Sequence, residues 1–281
     1  MIHFFTTDQL EKLCQKYGMR PSKEYGQNYL LHPEPIEEMV GAANVKKTDT
    51  IVEVGPGFGI LTFSLAEAAK KVISFEIEKK LEKYWEEKTK ETPNIEMVWG
   101  NILYNTGALD KLKKYKVVAN IPYQITSPLI RLFLEKVKNK PSEMVLLVQK
   151  EVAERICAKP GDTSVLSLAV QYYGEPQIIA NVPRLFFWPA PAVDSAIIRI
   201  ANIKKTVDAK LDEEFFKLVR AGFTNRRKLL IKNLQSLSGK GSKEVWGKAW
   251  ADLGWDRNRR AQELSIEDWK KLLLIHLSVK R

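Results

Sequence analysis

Cysteine and histidine are scarce in this sequence, which holds two cysteines and three histidines among 281 residues. Cys14 and Cys157 lie far apart and neither has metal-ligand spacing around it, so we expect both to be reduced and buried. His3, His32 and His276 are equally scattered, which argues against a metal site and against a histidine-based catalytic triad. The chemistry of this chain must therefore be carried by other groups.

Long apolar runs are also missing. No stretch approaches the roughly 20 residues that a membrane-spanning helix needs, and the N-terminus MIHFFTTDQLEKLCQKYG lacks the apolar centre of a signal peptide. Internal repeats and low-complexity segments are absent as well. With 44% hydrophobic residues, the chain is long enough to bury a sizeable core, and we expect a cytoplasmic protein with one large and one small domain.

Acidic residues become scarce towards the C-terminus. Residues 1–203 hold 26 Lys and Arg against 24 Asp and Glu, whereas residues 204–281 hold 19 against 10. Most of the net charge of +11 therefore lies in the last quarter of the chain. Clustered positive charge gains free energy by displacing counterions from phosphates, which favours a polyanionic partner. A solvated basic surface without a partner is the alternative.

Short apolar or β-branched runs alternate with segments of helical period up to about residue 200. The strand-like runs are TIVEVG (50–55), KVISFE (71–76), IEMVWG (95–100), KVVANI (116–121), EMVLLVQ (143–149) and SAIIRI (195–200). This βαβα order predicts a Rossmann-like α/β fold, a mostly parallel sheet with helices on both faces. Beyond ANIKKTVDAK the pattern becomes purely helical, so we place a domain boundary near Lys204, between residues 1–203 and 204–281.

The C-terminal domain is expected to be small and all-helical. Its segments of helical period are DEEFFKLVRAGF, NRRKLLIKNLQSL, KEVWGKAWADLG and IEDWKKLLLIHL. On the second of these, the three cations of NRRK precede an apolar run, so on a helix some of them can face outward while the apolar residues face the core. Ser265 and Asp268 predict a capped start for the last helix, a weak variant of the capping box.

The residues that end the predicted strands belong together, because ligands of open parallel sheets lie outside the carboxyl ends of the strands. The first strand ends in EVGPGFG, where Gly55, Gly57 and Gly59 allow a sharp turn and a close approach of the backbone to a ligand. The spacing G-x-G-x-G differs from the G-x-G-x-x-G of dinucleotide-binding proteins, which disfavours a nicotinamide enzyme. A plain strand-to-helix turn is the alternative.

The next two strand ends add polar groups. Glu76 follows about 20 residues on, where a carboxylate can accept hydrogen bonds from both hydroxyls of a ribose. It could otherwise be an ordinary helix-start acid. Asn101 ends the third strand, where its side chain can accept a hydrogen bond from an adenine amino group while Ile102 packs on the ring. Together these residues predict an adenosine-containing ligand.

The fourth strand ends in Asn120-Ile121-Pro122-Tyr123. If the target is an exocyclic amine such as N6 of adenine, the Asn120 side-chain oxygen and a main-chain carbonyl held by Pro122 can accept its two N–H bonds, while Tyr123 stacks on the base. Positioning and dipoles then carry the reaction without a strong general base. A base inside a duplex cannot be reached in this way, so the target must be unpaired or extruded. A simple turn at the Asn-x-Pro sequence is the alternative.

The chain resembles, over nearly its whole length, the small-subunit ribosomal RNA adenine N6,N6-dimethyltransferases, which use S-adenosylmethionine. The motifs that carry the resemblance are GQNYLL, EVGPGFGILT, FEIE, NIPYQITSPLI, QKEVAERICAKPGD, QYYGEP, FFWPAPAVDSAIIRI and GFTNRRKLLIKNL. The cofactor-binding residues that it implies are Asn28, Leu30, Gly55, Glu76, Asn101 and Asn120. The residues that it implies around the target adenine are Asn120, Pro122, Tyr123 and Phe187.

Phe187 would close over the base in this interpretation, and a core aromatic ahead of a proline-rich loop is the alternative. The resemblance further implies that Arg226, Arg227 and Lys228 contact RNA. Two positions depart from the family. Asn101 stands where many members carry Asp, which implies a neutral acceptor and weaker cofactor affinity, and Gln124 replaces the usual Asn after Tyr123, which affects the positioning of that loop.

The resemblance implies a monomeric, metal-free enzyme that adds two methyl groups to each of two adjacent adenines in the 3′-terminal hairpin loop of 16S ribosomal RNA. Its partner would be the RNA of a pre-30S-like particle during small-subunit biogenesis. The large-subunit adenine methylases of macrolide resistance share NIPY, but PAPAVDSAIIRI and FTNRRKLLIKNL fit the small-subunit branch better. A non-catalytic RNA-binding assembly or transcription factor on the same fold is a further alternative, against which the intact catalytic tetrapeptide argues.

Overall fold

The computed structural model describes residues 4–21, 26–205, 208–235, 237 and 242–279. Within them the chain divides into two compact units, one from the described parts of 1–153 and 174–204 and the other from those of 154–173 and 205–281. The last boundary between the units, after residue 204, lies beside the domain boundary expected near Lys204. The structure differs from the expectation in that residues 154–173 belong to the helical unit.

The first unit is built on a seven-stranded sheet. The strands of the described chain are β1 (Tyr29–Leu30), β2 (Thr50–Val54), β3 (Lys71–Glu76), β4 (Ile95–Trp99), β5 (Lys116–Asn120), β6 (Met144–Gln149), β7 (Glu175–Val182), β8 (Phe187–Trp188) and β9 (Ser195–Ala201). The sheet order is β4-β3-β2-β5-β6-β9-β7, and β1 pairs with β8 in a separate antiparallel ribbon. The strands from β4 to β6 run parallel, and β9 is antiparallel to both β6 and β7. The predicted α/β sheet is confirmed, with the six predicted strands present as β2 to β6 and β9.

Helices surround this sheet and form the second unit. They are α1 (Thr7–Lys16), α2 (Glu34–Ala42), α3 (Ile60–Ala68), α4 (Glu82–Glu91), α5 (Gly107–Asp110), α6 (Thr126–Arg131), α7 (Lys150–Ile156), α8 (Val165–Tyr173), α9 (Ala209–Gly222), α10 (Leu230–Leu234), α11 (Ser242–Asp252) and α12 (Ile266–Val279). No helix among the described residues combines the length and apolarity needed to cross a bilayer.

The central strands are apolar along their length because both of their faces are covered. Residues 117–119 of β5 and residues 144–148 of β6 are all buried. Of the two cysteines, Cys14 is buried as expected. Cys157 is only partly buried, which corrects the expectation, because it lies in the turn just after α7 ends.

The second unit shows one correction to the sequence-based helices. Ser265 and Asp268 form the predicted cap, since the Ser265 hydroxyl accepts the Asp268 N–H and the Asp268 carboxylate accepts the Ser265 N–H. The described residues of the segment NRRKLLIKNLQSL, in contrast, are helical only at Leu230–Leu234. The part of it before Leu230 is a turn, in which the side chain of Asn225 accepts the N–H of Arg227 at 3.2 Å. Such a local bond competes with the helix for the same backbone groups.

The amide of Asn233 stabilises that turn from inside the unit. Its Nδ2 donates to the carbonyl oxygen of Gly222 at 2.6 Å and to that of Asn225 at 3.0 Å. The last carbonyl of α9 is therefore satisfied without the helix continuing. Consequently the predicted RNA-contacting cations lie on an exposed turn and not on a helix face.

A largely buried lysine side chain joins several elements at the amino ends of the strands. Lys116 Nζ lies 3.0 Å from the carboxylates of Asp49 and Glu143, and it donates to the carbonyl oxygens of Ala43 and Asn44. The three charged side chains are only 10–15% exposed. This end of the sheet is thus fixed by one cation with four oxygen partners.

Replacing Lys116 with Met should lower the free energy of unfolding by about 3 kcal/mol, because it removes the cation that Asp49 and Glu143 share, although Glu143 keeps its bond to Arg199. Urea denaturation measures this change. Lys71→Met is the matched control, since Lys71 pairs with Glu96 on the same sheet but both side chains are about half exposed. That pair should contribute about 0–1 kcal/mol. Equal losses in the two variants would contradict the assignment.

Candidate active site

A cavity of about 320 Å³ lies at the carboxyl ends of β2 to β5. Its volume falls at the lower end of the roughly 300–1,000 Å³ of small-molecule sites. The sequence-predicted residues that line it are Asn28, Leu30, Gly55, Glu76, Asn101, Ile102, Asn120, Pro122 and Tyr123. The structure therefore brings nearly the whole predicted set into one concave site.

The glycine turn after β2 forms one wall of the cavity. Its three glycines all have positive φ, with Gly57 at 55°. A Cβ on Gly57 would also lie 2.9 Å from the ring of Tyr29. Both backbone polar groups of Gly57 are hydrogen-bonded. Its N–H donates to Glu76 Oε2, and its carbonyl accepts from Trp85 Nε1. The backbone here is thus fixed where a ligand can approach it closely.

Glu76 has a larger structural role than the sequence indicates. It is 5% exposed, and its Oε1 accepts the N–H groups of Ile77 and Glu78, both at 2.8 Å, in addition to the bond from Gly57 to Oε2. Burial raises the pKa of this carboxyl above its usual value, and the three backbone bonds oppose the rise. Two carboxylate oxygens offer about four acceptor positions. A ribose hydroxyl therefore still finds an acceptor here.

Glu53 is a cavity residue that the sequence analysis missed. It lies on β2, it is 1% exposed, and its carboxyl accepts a hydrogen bond from Ser74 on β3 at 2.7 Å. Burial raises the pKa of Glu53 to about 7, and the nearby Glu76 adds to the rise. A glutamate within an apolar strand pattern was the signal that could have identified it.

Asn101 and Gln124 are the two departures from the family pattern. Asn101 contacts its own turn, whereas Gln124 contacts a distant segment of the chain. The side-chain oxygen of Asn101 accepts the N–H of Leu103 at 3.0 Å, so it shapes its own turn and keeps one lone pair for a ligand. The side chain of Gln124 lies directly against Gly26, where an added Cβ would meet Gln124 Oε1 at 2.2 Å. Gln124 therefore connects the loop after β5 to the GQNYLL segment.

Asn120 lies at the end of β5, opposite that segment. Its Nδ2 donates to the main-chain carbonyl of Asn28 at 3.4 Å, and the Asn28 amide donates in turn to the carbonyl of Gly26 at 3.2 Å. The amide nitrogen of Asn120 is thus used by the protein. Its oxygen is left as the group that can accept a hydrogen bond inside the cavity.

Of the residues predicted around the cofactor and the target adenine, Phe187 is the one that does not line the cavity in the described part of the chain. Its ring is 3% exposed and belongs to the hydrophobic core together with Leu30 and Ile197. The backbone explains this position, because Phe187 pairs with Leu30 across the β1–β8 ribbon. In this structure Phe187 is therefore a core aromatic ahead of a proline-rich loop, the alternative given by the sequence.

Sequence comparisons give a consistent family description. Residues 18–275 match the family described as "Ribosomal RNA adenine dimethylase". A "Ribosomal RNA small subunit methyltransferase A" of Dehalococcoides mccartyi is 42% identical over 269 residues, which cover 95% of this chain and 92% of that protein. The protein of the same description from Alkaliphilus oremlandii is 38% identical, with 92% and 93% covered.

Two solved structures share most of this fold. A dimethyladenosine transferase from Plasmodium falciparum superposes with a TM-score of 0.76 at 26% identity, covering 90% of this chain and 98% of that one. The 23S rRNA methyltransferase ErmE gives a TM-score of 0.73 at 25% identity, covering 90% and 100%.

Replacing Glu76 with Gln should weaken S-adenosylmethionine binding by about 1.5–3 kcal/mol, the usual contribution of charged hydrogen bonds. The amide nitrogen of Gln must also face at least one of the three backbone N–H groups, so the free energy of unfolding should fall as well. Calorimetric titration and urea denaturation measure the two effects.

Glu78→Gln is the control for this prediction, because the Glu78 carboxylate caps the N–H of Lys80 on the protein surface. It should leave cofactor affinity unchanged. Unchanged affinity in Glu76→Gln would mean that Glu76 only shapes the turn.

Proposed function

The chain belongs to the ribosomal RNA adenine dimethylase family, and from that premise we propose that it dimethylates N6 of two adjacent adenines in the 3′-terminal hairpin loop of small-subunit (16S) ribosomal RNA. The reaction places two methyl groups on each adenine. We further propose that the enzyme acts as a cytoplasmic monomer on a pre-30S-like particle and contributes to small-subunit biogenesis.

The cofactor of this family is S-adenosylmethionine, which supplies an electrophilic methyl group on a sulfonium centre. The residues of the cavity fit it. The glycine turn offers a close backbone approach, Glu76 offers the remaining acceptor position of its carboxylate for a ribose hydroxyl, and Asn101 with Ile102 offers a polar and an apolar contact for adenine.

The orientation of the Asn120 amide is the observation that carries the proposal. Because its nitrogen donates to the Asn28 carbonyl, its oxygen is free to accept one N–H of the target amine. The carbonyl of Pro122 already accepts the N–H of Ile125 at 3.0 Å. We therefore assign the second acceptor to the Ile121 carbonyl, whose peptide bond is held by the Pro122 ring.

Two acceptors on the same amine withdraw its hydrogens from the plane of the base and make the nitrogen lone pair available. The amine loses its proton only after it has attacked, so no strong base is required in the site. Tyr123, half-buried at the cavity, is placed to stack on the adenine face. The target base must be outside a duplex to enter.

The choice of the small-subunit RNA is supported by sequence more than by fold. Relatives that are 36–42% identical are described as small-subunit enzymes. The 23S enzyme ErmE has nearly the same architecture, so architecture alone does not distinguish the two substrates.

One experiment separates the candidate substrates. The protein is incubated with labelled S-adenosylmethionine and unmethylated small or large ribosomal subunits, and the labelled base is mapped. We expect label in two adjacent adenines of the small-subunit hairpin loop. Label in large-subunit RNA would instead indicate the macrolide-resistance type of methylase. No label in either RNA would favour a non-catalytic RNA-binding factor.

Asn120→Ala should reduce methyl transfer by several orders of magnitude, since positioning can supply up to about 7–11 kcal/mol of the barrier. RNA binding should survive, because the exposed cations of the second unit are unchanged. Single-turnover rates and a filter-binding assay measure the two properties.

Asn139→Ala is the matched control for Asn120→Ala. Asn139 is also a partly buried asparagine that donates to a main-chain carbonyl, that of Asp110, but it lies outside the cavity lining described above. The methyl-transfer rate of the Asn139→Ala variant should match that of the wild type. A near-normal rate in Asn120→Ala would remove the proposed mechanism.

The exposed turn of the second unit supports a role in RNA binding. Arg226, Arg227 and Lys228 are all exposed there. Replacing Arg226 and Arg227 with Ala should reduce the salt slope of RNA binding by about 1.4–1.8, at roughly 0.7–0.9 per phosphate contact. Affinity measured across a salt series gives the slope, and cofactor binding should be unchanged.

The double variant Lys113→Ala, Lys114→Ala removes the same charge from another exposed site, just before β5 begins. It should keep the wild-type slope. Equal slopes in all three proteins would place the RNA footprint elsewhere.

A further inference from the structure

The hydroxyl of Tyr123 has a partner that no sequence motif indicated. It lies 2.7 Å from Ser195 Oγ. Ser195 is fully buried and begins β9, where it pairs with Gln149 of β6 and with Val182 of β7. The serine is therefore fixed by two neighbouring strands, whereas Tyr123 lies on the loop that follows β5.

The residue before Ser195 strengthens this anchor. The Asp194 carboxylate accepts the N–H of Arg184 at 2.9 Å, and the Asp194 carbonyl accepts the N–H of Lys150 at 3.0 Å. These bonds join the loop between β7 and β9 to the carboxyl end of β6. Ser195 consequently has little freedom to follow a moving tyrosine.

The tyrosine ring, in contrast, needs an external anchor. Tyr123 begins a short 3₁₀ turn of three residues, and its half-buried ring lines the open cavity. Such a ring turns about two side-chain torsions unless its far end is held. A hydrogen bond to the hydroxyl restrains both torsions at once, because it fixes the atom farthest from the backbone.

We propose that Ser195 is a positioning residue for methyl transfer, whose hydroxyl holds the Tyr123 ring at the tilt needed to stack on the target adenine; this rests on the proposed function. Ser195 itself does not touch the substrate. Burial raises the pKa of Tyr123, so the phenol stays neutral at physiological pH and serves as a stacking surface, not as a base.

The test is a double-mutant cycle of Ser195→Ala, Tyr123→Phe and the double variant, assayed for methyl transfer on unmethylated small subunits. Each single variant should lower kcat about tenfold, the effect of one net hydrogen bond, with KM for S-adenosylmethionine unchanged. The double variant should be no slower than either single variant, because both changes remove the same bond.

Ser167→Ala is the matched control. Ser167 is also fully buried and hydrogen-bonded, but to Ser164 at the start of α8, in the other unit. The thermal stability of the Ser167→Ala variant should fall as in Ser195→Ala, while its kcat should equal that of the wild type. The proposal is overturned if Ser195→Ala keeps its kcat within about twofold of wild type, or if the two losses multiply to about a hundredfold in the double variant.

A second measurement separates this proposal from the proposed function. A hairpin-loop RNA with 2-aminopurine at the target position is bound in the presence of S-adenosylhomocysteine, and its fluorescence reports stacking on Tyr123. The Ser195→Ala and Tyr123→Phe complexes should be equally brighter than the wild-type complex. The proposed function is wrong if the wild type methylates no small-subunit adenine. The role of Ser195, in contrast, would be overturned by equal fluorescence in all complexes.

Discussion

The buried carboxylate of Glu76 is the group on which the cofactor side of the site depends. Its charge is withdrawn from water and stabilised by three backbone N–H groups, one from the glycine turn after β2 and two from the turn after β3. The same group therefore joins the ends of two parallel strands and keeps an acceptor position for a ligand. An unpaired carboxylate at such depth would be strongly unfavourable, so the turn and the carboxylate stabilise each other.

The part of the cavity proposed to hold the target adenine is built differently. Asn120 and Tyr123 are neutral, and each is oriented by a hydrogen bond within the protein: to the Asn28 carbonyl for Asn120 and to the Ser195 hydroxyl for Tyr123. Side chains held in this way lose little further freedom when a substrate binds. Such preorganised neutral dipoles are what the proposed mechanism requires in place of acid–base chemistry, in a chain with few histidines and cysteines.

Much of the sheet and of the cavity could be predicted from the sequence, because buried parallel strands are continuous apolar runs and because parallel strands end at one edge. β7 was missed since it is an edge strand with a bulge near Ile178, and it alternates only weakly between exposed and buried positions. The β1–β8 ribbon has only two residues in each strand, so its pairing, and with it the burial of Phe187, is decided by tertiary contacts. The helix expected at Arg226 was wrong because the Asn225 and Asn233 side chains take the backbone groups that a helix would use.

The helical unit is not a continuous stretch of chain, since residues 154–173 belong to it although they precede the last two strands of the sheet. Inside that unit, Tyr172 and Tyr173 of α8 both donate to the carboxylate of Asp212 on α9. The two units are therefore interleaved in the gene, not arranged in tandem. A single crossover near residue 204 would separate α8 from Asp212, so an exchange of the helical unit between two relatives must carry residues 154–173 as well.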